Sequence, residues 1–361
     1  MRNQTEQDSG VLAFSVPAPI PVTIISGFLG AGKTTLLNHI LSEDHGVRAG
    51  VLVNDFGAIN IDAKLVVGVE GETVNLANGC VCCNIRDDLI GACIGLLQRD
   101  EPPEILLIET SGVSDPVQVA NSFVSPDLGG AFLLSTILTV VDAEQLPNLQ
   151  GEMAALALAQ IKAADLVALN KVDLITATAL ENVEAIVRQI APGSPVLHAS
   201  HGRVPLELVL DAPPREISVS ASTSSPGHSG HGHEHPFSTW SWTCDSALSL
   251  PKLRSVLEAL PDSVYRCKGI VYLEELPTYR IVLQMVGKRY DIGDSDQWGG
   301  SEEPGSEIVM IGARDEIDAG ALQEAFDGCI GTGDEAQSPV LRLVRKLAPE
   351  LLSNGAPAGR P

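Results

Sequence analysis

One segment constrains this chain more than any other: Gly27-Phe-Leu-Gly-Ala-Gly32-Lys33-Thr34. It fits G-x-x-x-x-G-K-[ST] in full, after an apolar run at 22–26 and before a helical pattern at 34–41. Glycines let backbone N–H groups curl around phosphate oxygens, and the helix N-terminus adds partial positive charge. The candidate nucleotide contacts here are Gly27, Gly30, Ala31, Gly32, Lys33, Thr34 and Thr35. Lys33 is expected to reach the β- and γ-phosphates, and the Thr34 hydroxyl to hold Mg²⁺. A glycine-rich strand–helix turn without a ligand is the bland alternative.

The strand–helix alternation continues. Further strands are expected at 50–53, 104–108, 135–141, 165–169 and 195–198, and helices at 86–98, 151–163 and 177–190. This predicts an α/β fold of the P-loop NTPase type, a parallel sheet with helices on both faces, over residues 22–210. Residues 1–21 read as a mobile arm, and 211–236, rich in Pro, Ser, Gly and His, as a linker. Residues 237–352 carry short strands (237–243, 269–273, 279–286, 307–311) and two helices (249–259, 319–327), predicting a smaller α+β domain. Residues 353–361 form a tail. Composition narrows the classes further. With 46 Asp+Glu against 23 Lys+Arg, the net charge of −23 argues against nucleic acid and anionic membranes as partners. No apolar run is long enough to span a bilayer, and Met1 to Gly10 lacks the apolar core of a signal peptide, so a cytoplasmic location is expected.

Two further elements suit the nucleotide site. Ile105-Leu-Leu-Ile108 ends in Glu109, followed by Thr110, Ser111 and Gly112. Glu109 is expected at the carboxyl edge of the sheet, near Mg²⁺ or the attacking water, with Gly112 as a γ-phosphate sensor. Lys33, Thr34 and Glu109 are the catalytic candidates. Asn170-Lys171-Val172-Asp173 follows another apolar run. An aspartate there can accept from the N1–H and exocyclic amine of guanine, a pair adenine does not offer, which favours GTP/GDP. Read blandly, Glu109 is a surface carboxylate and the second motif a polar turn.

Of seven cysteines, three crowd into Asn78-Gly79-Cys80-Val81-Cys82-Cys83. An odd count with such clustering is not a disulfide framework; it points to metal or redox chemistry. Thiols just before a helix have lowered pKa, and soft thiolates suit Zn²⁺ or Cu⁺, with Co²⁺ possible. Cys80, Cys82 and Cys83 leave a tetrahedral ion one ligand short; Asp55, a histidine, water or a client's ligand can supply it. Transferable metal, structural metal and inert or oxidisable thiols all remain open. Cys93, Cys244, Cys267 and Cys329 read as core. His228, His231, His233 and His235 alternate with small residues in the linker, as a loose metal-capturing stretch or a solvated spacer.

Taken together these residues resemble the CobW-like metallochaperone GTPases. Gly27 to Asn38 is similar to the family's phosphate loop, Val51-Leu-Val-Asn-Asp-Phe-Gly57 to its first switch segment, and Cys80-Val-Cys-Cys83 to its hallmark C-x-C-C motif. Glu109 to Gly112, Asn170 to Asp173, the histidine-rich linker and the segments Tyr265 to Gly269 and Ile308 to Gly312 follow in the family's order. Asp55 and Ala58 stand where the family usually has glutamates. The resemblance implies a GTP-hydrolysing protein that passes a divalent metal, zinc or cobalt, to a client metalloprotein. A non-catalytic zinc or cobalt store, or a P-loop enzyme acting on a small molecule, are the rival readings.

Overall fold

A computed structural model describes residues 19–43, 46–53, 73–75, 85–123, 128, 130–210, 237–299 and 302–331. The chain divides into two compact units, Met1–Val219 and Ser220–Pro361.

In the first unit the order is β1 (Ile20–Ser26), α1 (Lys33–Ser42), β2 (Ala49–Val53), β3 (Thr73–Asn75), α2 (Ile85–Leu97), β4 (Ile105–Glu109), α3 (Pro116–Phe123), β5 (Phe132–Asp142), α4 (Gly151–Lys162), β6 (Leu166–Asn170), α5 (Ala177–Ile190), β7 (Val196–His198) and α6 (Leu206–Val209). These strands form a seven-stranded sheet in the order β3-β2-β4-β1-β5-β6-β7. Every neighbouring pair is parallel. Parallel strands are covered on both faces, so they read as continuous apolar runs, and all five residues of Ile105–Glu109 are buried. In β1, Val22 and Ile24 join a core with Leu89, Cys93 and Leu96 of α2 and Val119 and Phe123 of α3. Thr23 points the opposite way and donates to the Val209 carbonyl at the end of α6. Farther along the sheet, Ala157 and Ile161 of α4 and Val183 and Val187 of α5 close over Val167 and Leu169.

Three differences from the sequence reading stand out here. The expected arm gives up its last two residues: β1 begins at Ile20, whose N–H donates to the Ala131 carbonyl at 2.8 Å. β3 spans three residues, too few to show a period, and α3 begins at Pro116, whose fixed φ suits a first helical turn.

The second unit contains β8 (Phe237–Cys244), α7 (Leu250–Ala259), β9 (Val264–Val271), β10 (Tyr279–Val286), β11 (Arg289–Gln297), β12 (Ser306–Ala313) and α8 (Ala319–Asp327). Its antiparallel sheet runs β11-β10-β9-β12-β8. One face packs on the helices, so exposure alternates along β12. β9 starts five residues before the expected position, because Arg266 and Lys268 interrupt what a search for apolar runs can find. β11 was not expected at all; its Asp-Ile-Gly-Asp-Ser-Asp stretch is an edge strand written in polar residues. Cys267 and Cys329 are buried as expected, whereas Cys244, at the end of β8, is only half-buried, and its Sγ accepts from the Ser246 N–H. Among the described residues no helix is long and apolar enough to cross a membrane.

Candidate active site

β1 delivers the chain to the carboxyl edge of the sheet, and the loop from Gly27 to Gly32 turns it back into α1. Gly27, Gly30 and Gly32 take φ of 140°, 75° and 102°. Gly32 matters most: it is left-handed and forms the N-cap of α1 without a side-chain cap. A Cβ there would collide with the Asn170 amide. The first N–H groups of α1 thus receive no side-chain acceptor at their cap, which leaves the helix end ready for an anion. Lys33 is buried, and its Nζ lies 3.3 Å from the Phe28 carbonyl, folded back over the loop.

Glu109 closes β4, the strand beside β1, with Glu109 in register with Ile25. It is 2% exposed, and its Oε1 accepts from the Thr34 hydroxyl at 2.6 Å. Sequence separation of 75 residues is thereby reduced to one hydrogen bond. A hydroxyl and a carboxylate side by side are the hard oxygen donors Mg²⁺ takes, so the residues present fit that ion. After Glu109 the chain turns immediately against the phosphate loop. A Cβ on Gly112 would fall 2.8 Å from the Leu29 nitrogen, so only glycine allows this approach. Gln160 of α4 reaches in from below, its amide donating to the carbonyls of Gly112 at 3.1 Å and Ser114 at 2.9 Å.

The Asn170 to Asp173 turn completes the edge. Asn170 ends β6 and is buried. Its Nδ2 donates to the Ala31 carbonyl at 2.9 Å, while its Oδ1 accepts from the Gly202 N–H at 3.0 Å. One side chain therefore fixes the phosphate loop to the loop after β7. Lys171 adopts a left-handed φ of 62° and pairs with Asp142 at 2.7 Å. Asp142 ends β5 and also accepts from the N–H groups of Glu144 and Gln145. Asp173 sits exposed in a short 3-10 turn, Val172–Leu174.

Of the residues named from the sequence, only Glu109 is expected at the carboxyl edge of the sheet; in the fold Lys33, Thr34, Glu109, Gly112, Asn170, Lys171 and Asp173 all lie at or just beyond the carboxyl ends of β1, β4 and β6. The sequence reading missed Asp142, Gln160 and Gly202. Asp142 looks like an ordinary strand-end residue, and Gln160 like a solvated position of an alanine-rich helix. Cys80, Cys82, Cys83, Asp55, His228, His231, His233 and His235 lie outside the described residues. Among the described residues no group of three or more His, Cys, Asp or Glu is placed to hold a metal. Cys93 is fully buried among apolar side chains, and burial pushes its thiol up to about 12, in keeping with a core role.

A parallel sheet with a glycine-rich loop between its β1 and α1, a buried lysine opening α1 and an acidic residue ending the adjacent strand define a P-loop nucleotide-binding protein. Two family descriptions match: the CobW/HypB/UreG nucleotide-binding domain over residues 21–198, and the cobalamin synthesis protein CobW C-terminal domain over 237–330. The chain belongs to the CobW family. It is 32% identical to the zinc chaperone CobW of Pseudomonas aeruginosa over 344 residues, covering 84% of this chain and 90% of the relative. Against the zinc chaperone YjiA of Escherichia coli K12 it is 30% identical over 320 residues, covering 86% and 98%. A zinc-regulated GTPase metalloprotein activator of Dictyostelium discoideum is 31% identical over 230 residues, covering 53% of this chain and 48% of that one.

Proposed function

We propose that this protein is a GTP-hydrolysing metallochaperone that binds a divalent metal, zinc before cobalt, and passes it to a client metalloprotein in the cytoplasm. The observation that carries the GTPase part is the Thr34–Glu109 hydrogen bond of 2.6 Å, which joins the phosphate loop to the sensor turn. The zinc part is supported by the names of the relatives and by the C-x-C-C spacing of Cys80, Cys82 and Cys83.

Each residue then has a task. The loop N–H groups from Gly27 to Thr35 and the Lys33 ammonium bind the phosphates and meet the charge that develops as water attacks the γ-phosphorus and its bond to the bridging oxygen breaks. Thr34 and Glu109 would hold Mg²⁺, which when bound neutralises phosphate charge. Asp173 reads guanine; Asn170 ties the turn that carries it to the phosphate loop, and Lys171 ties it to Asp142 of β5. Cys80, Cys82 and Cys83 bind the cargo ion as thiolates, with Asp55 as a candidate fourth ligand and His228, His231, His233 and His235 as a capturing stretch.

The C-x-C-C motif lies in sequence between the phosphate loop and the sensor turn. Nucleotide state therefore biases metal affinity, and by linkage metal biases nucleotide affinity to the same degree. A storage protein would have no need of the Lys33, Thr34, Glu109 and Asp173 set. Phosphate release with and without zinc, in the wild type and in a Cys80/Cys82/Cys83→Ala variant, tests the reading. Zinc is expected to change turnover in the wild type only; equal response of the two proteins contradicts it.

A further inference from the structure

Gln160 lies in α4 among alanines and leucines and is 1% exposed. Buried glutamine is uncommon, and this one spends its amide on a single distant turn. Both its Nε2 hydrogen bonds go to backbone carbonyls, those of Gly112 and Ser114. That fixes the orientation of the amide, since its oxygen in the same place would face two other carbonyl oxygens. The helix behind it is itself anchored: the Gln160 carbonyl accepts from the Thr139 hydroxyl of β5 at 3.0 Å.

Stability alone does not account for this choice. Gln160 Oε1 is buried and has no hydrogen-bond partner among the described residues. A methionine would fill similar space without an orphaned acceptor. Thr110, Ser111 and Ser114 of the turn are buried, while Val113, between the two clamped carbonyls, is 45% exposed. The Thr110 N–H donates to the Ile25 carbonyl and the Ser114 N–H to the Ser111 carbonyl, Gly112 abuts Leu29, and the Gln160 amide secures the Gly112 and Ser114 carbonyls from the other side.

We propose that Gln160 is a positioning residue that sets discrimination between GTP and GDP, by holding the Gly112 peptide in place against the phosphate loop. This rests on the GTPase reading above. With the clamp intact the turn meets the γ-phosphate already ordered, so binding incurs no ordering cost. Without it, that cost falls on GTP and not on GDP, whose binding does not use the turn.

The test uses the full chain with Gln160→Met and Gln160→Leu; neither side chain has a proton to donate to a carbonyl. Affinities for GDP and for a non-hydrolysable GTP analogue are measured beside thermal unfolding. Affinity for the analogue is expected to fall about 10-fold and that for GDP to change less than about 2-fold. Equal losses for both nucleotides, or a lowered unfolding temperature with unchanged affinities, would overturn the proposal. A wild type that binds neither nucleotide removes the GTPase reading itself; a discriminating wild type with unaltered variants removes only the role of Gln160. Should neither variant fold, hydrogen exchange on the wild type decides. Amides of residues 112–115 must already be protected with GDP bound, as a turn ordered in advance requires, and protection that arises only with the GTP analogue refutes the clamp.

Discussion

The two units bury polar side chains for different ends. In the first, Glu109, Thr110, Ser111, Ser114, Asp142 and Asn170 are buried and all lie at the carboxyl ends of neighbouring parallel strands or in the turns just beyond. In the second, the buried Glu275 accepts from the Leu250 N–H at the start of α7, and the Ser306 hydroxyl from the Tyr272 N–H. These close backbone accounts locally and converge on nothing. Parallel strands all point the same way, so their ends gather loops at one edge; antiparallel strands alternate and scatter them. Chemistry is therefore expected in the first unit and scaffold behaviour in the second.

Lys33→Ala should break the first unit most severely. Turnover of GTP is expected to fall about 100-fold or more, read by phosphate release, because a preorganised charge at the reacting phosphate is lost. Asp173→Ala comes next: GTP affinity should weaken about 100-fold with ATP affinity unchanged, since the carboxylate pairs only with guanine. Asp142→Asn acts at one remove. Loss of the charged partner of Lys171 loosens the turn, and GTP affinity should drop about 10-fold with unfolding temperature nearly constant.

The second unit gives the contrasting response. All three tryptophans, Trp240, Trp242 and Trp298, lie there, so their fluorescence reports its unfolding alone. Burial raises the Glu275 carboxyl above its usual range. A carboxyl raised on folding contributes stability at low pH that is lost as pH climbs through the raised value. Glu275→Gln should flatten that dependence and leave GTP turnover unaltered. The smallest effect is expected at Cys93, where Cys93→Ala should lower stability by about 1 kcal/mol. Zinc stoichiometry should not change.

The same contrast explains what could be read in the sequence. The phosphate loop was legible because its glycines answer a local backbone demand, and Glu109 because it ends an apolar run. Asn170 was legible as a motif, but its work as a tie between Ala31 and Gly202 was not, because both partners are distant in sequence. Gln160 and Asp142 left no local signal at all; their meaning exists only once α4 and β5 are packed beside the turns they hold. In the second unit the alternation of β10 and the helix α8 were plain, whereas β11, a polar edge strand, carried no hydrophobic period to detect.

Zinc titration of the full chain, once saturated with GDP and once with a non-hydrolysable GTP analogue, goes to the centre of the account. If the thiol segment and the phosphate sensor are coupled, the two zinc affinities differ by about 10-fold. Identical affinities in the two nucleotide states would contradict it.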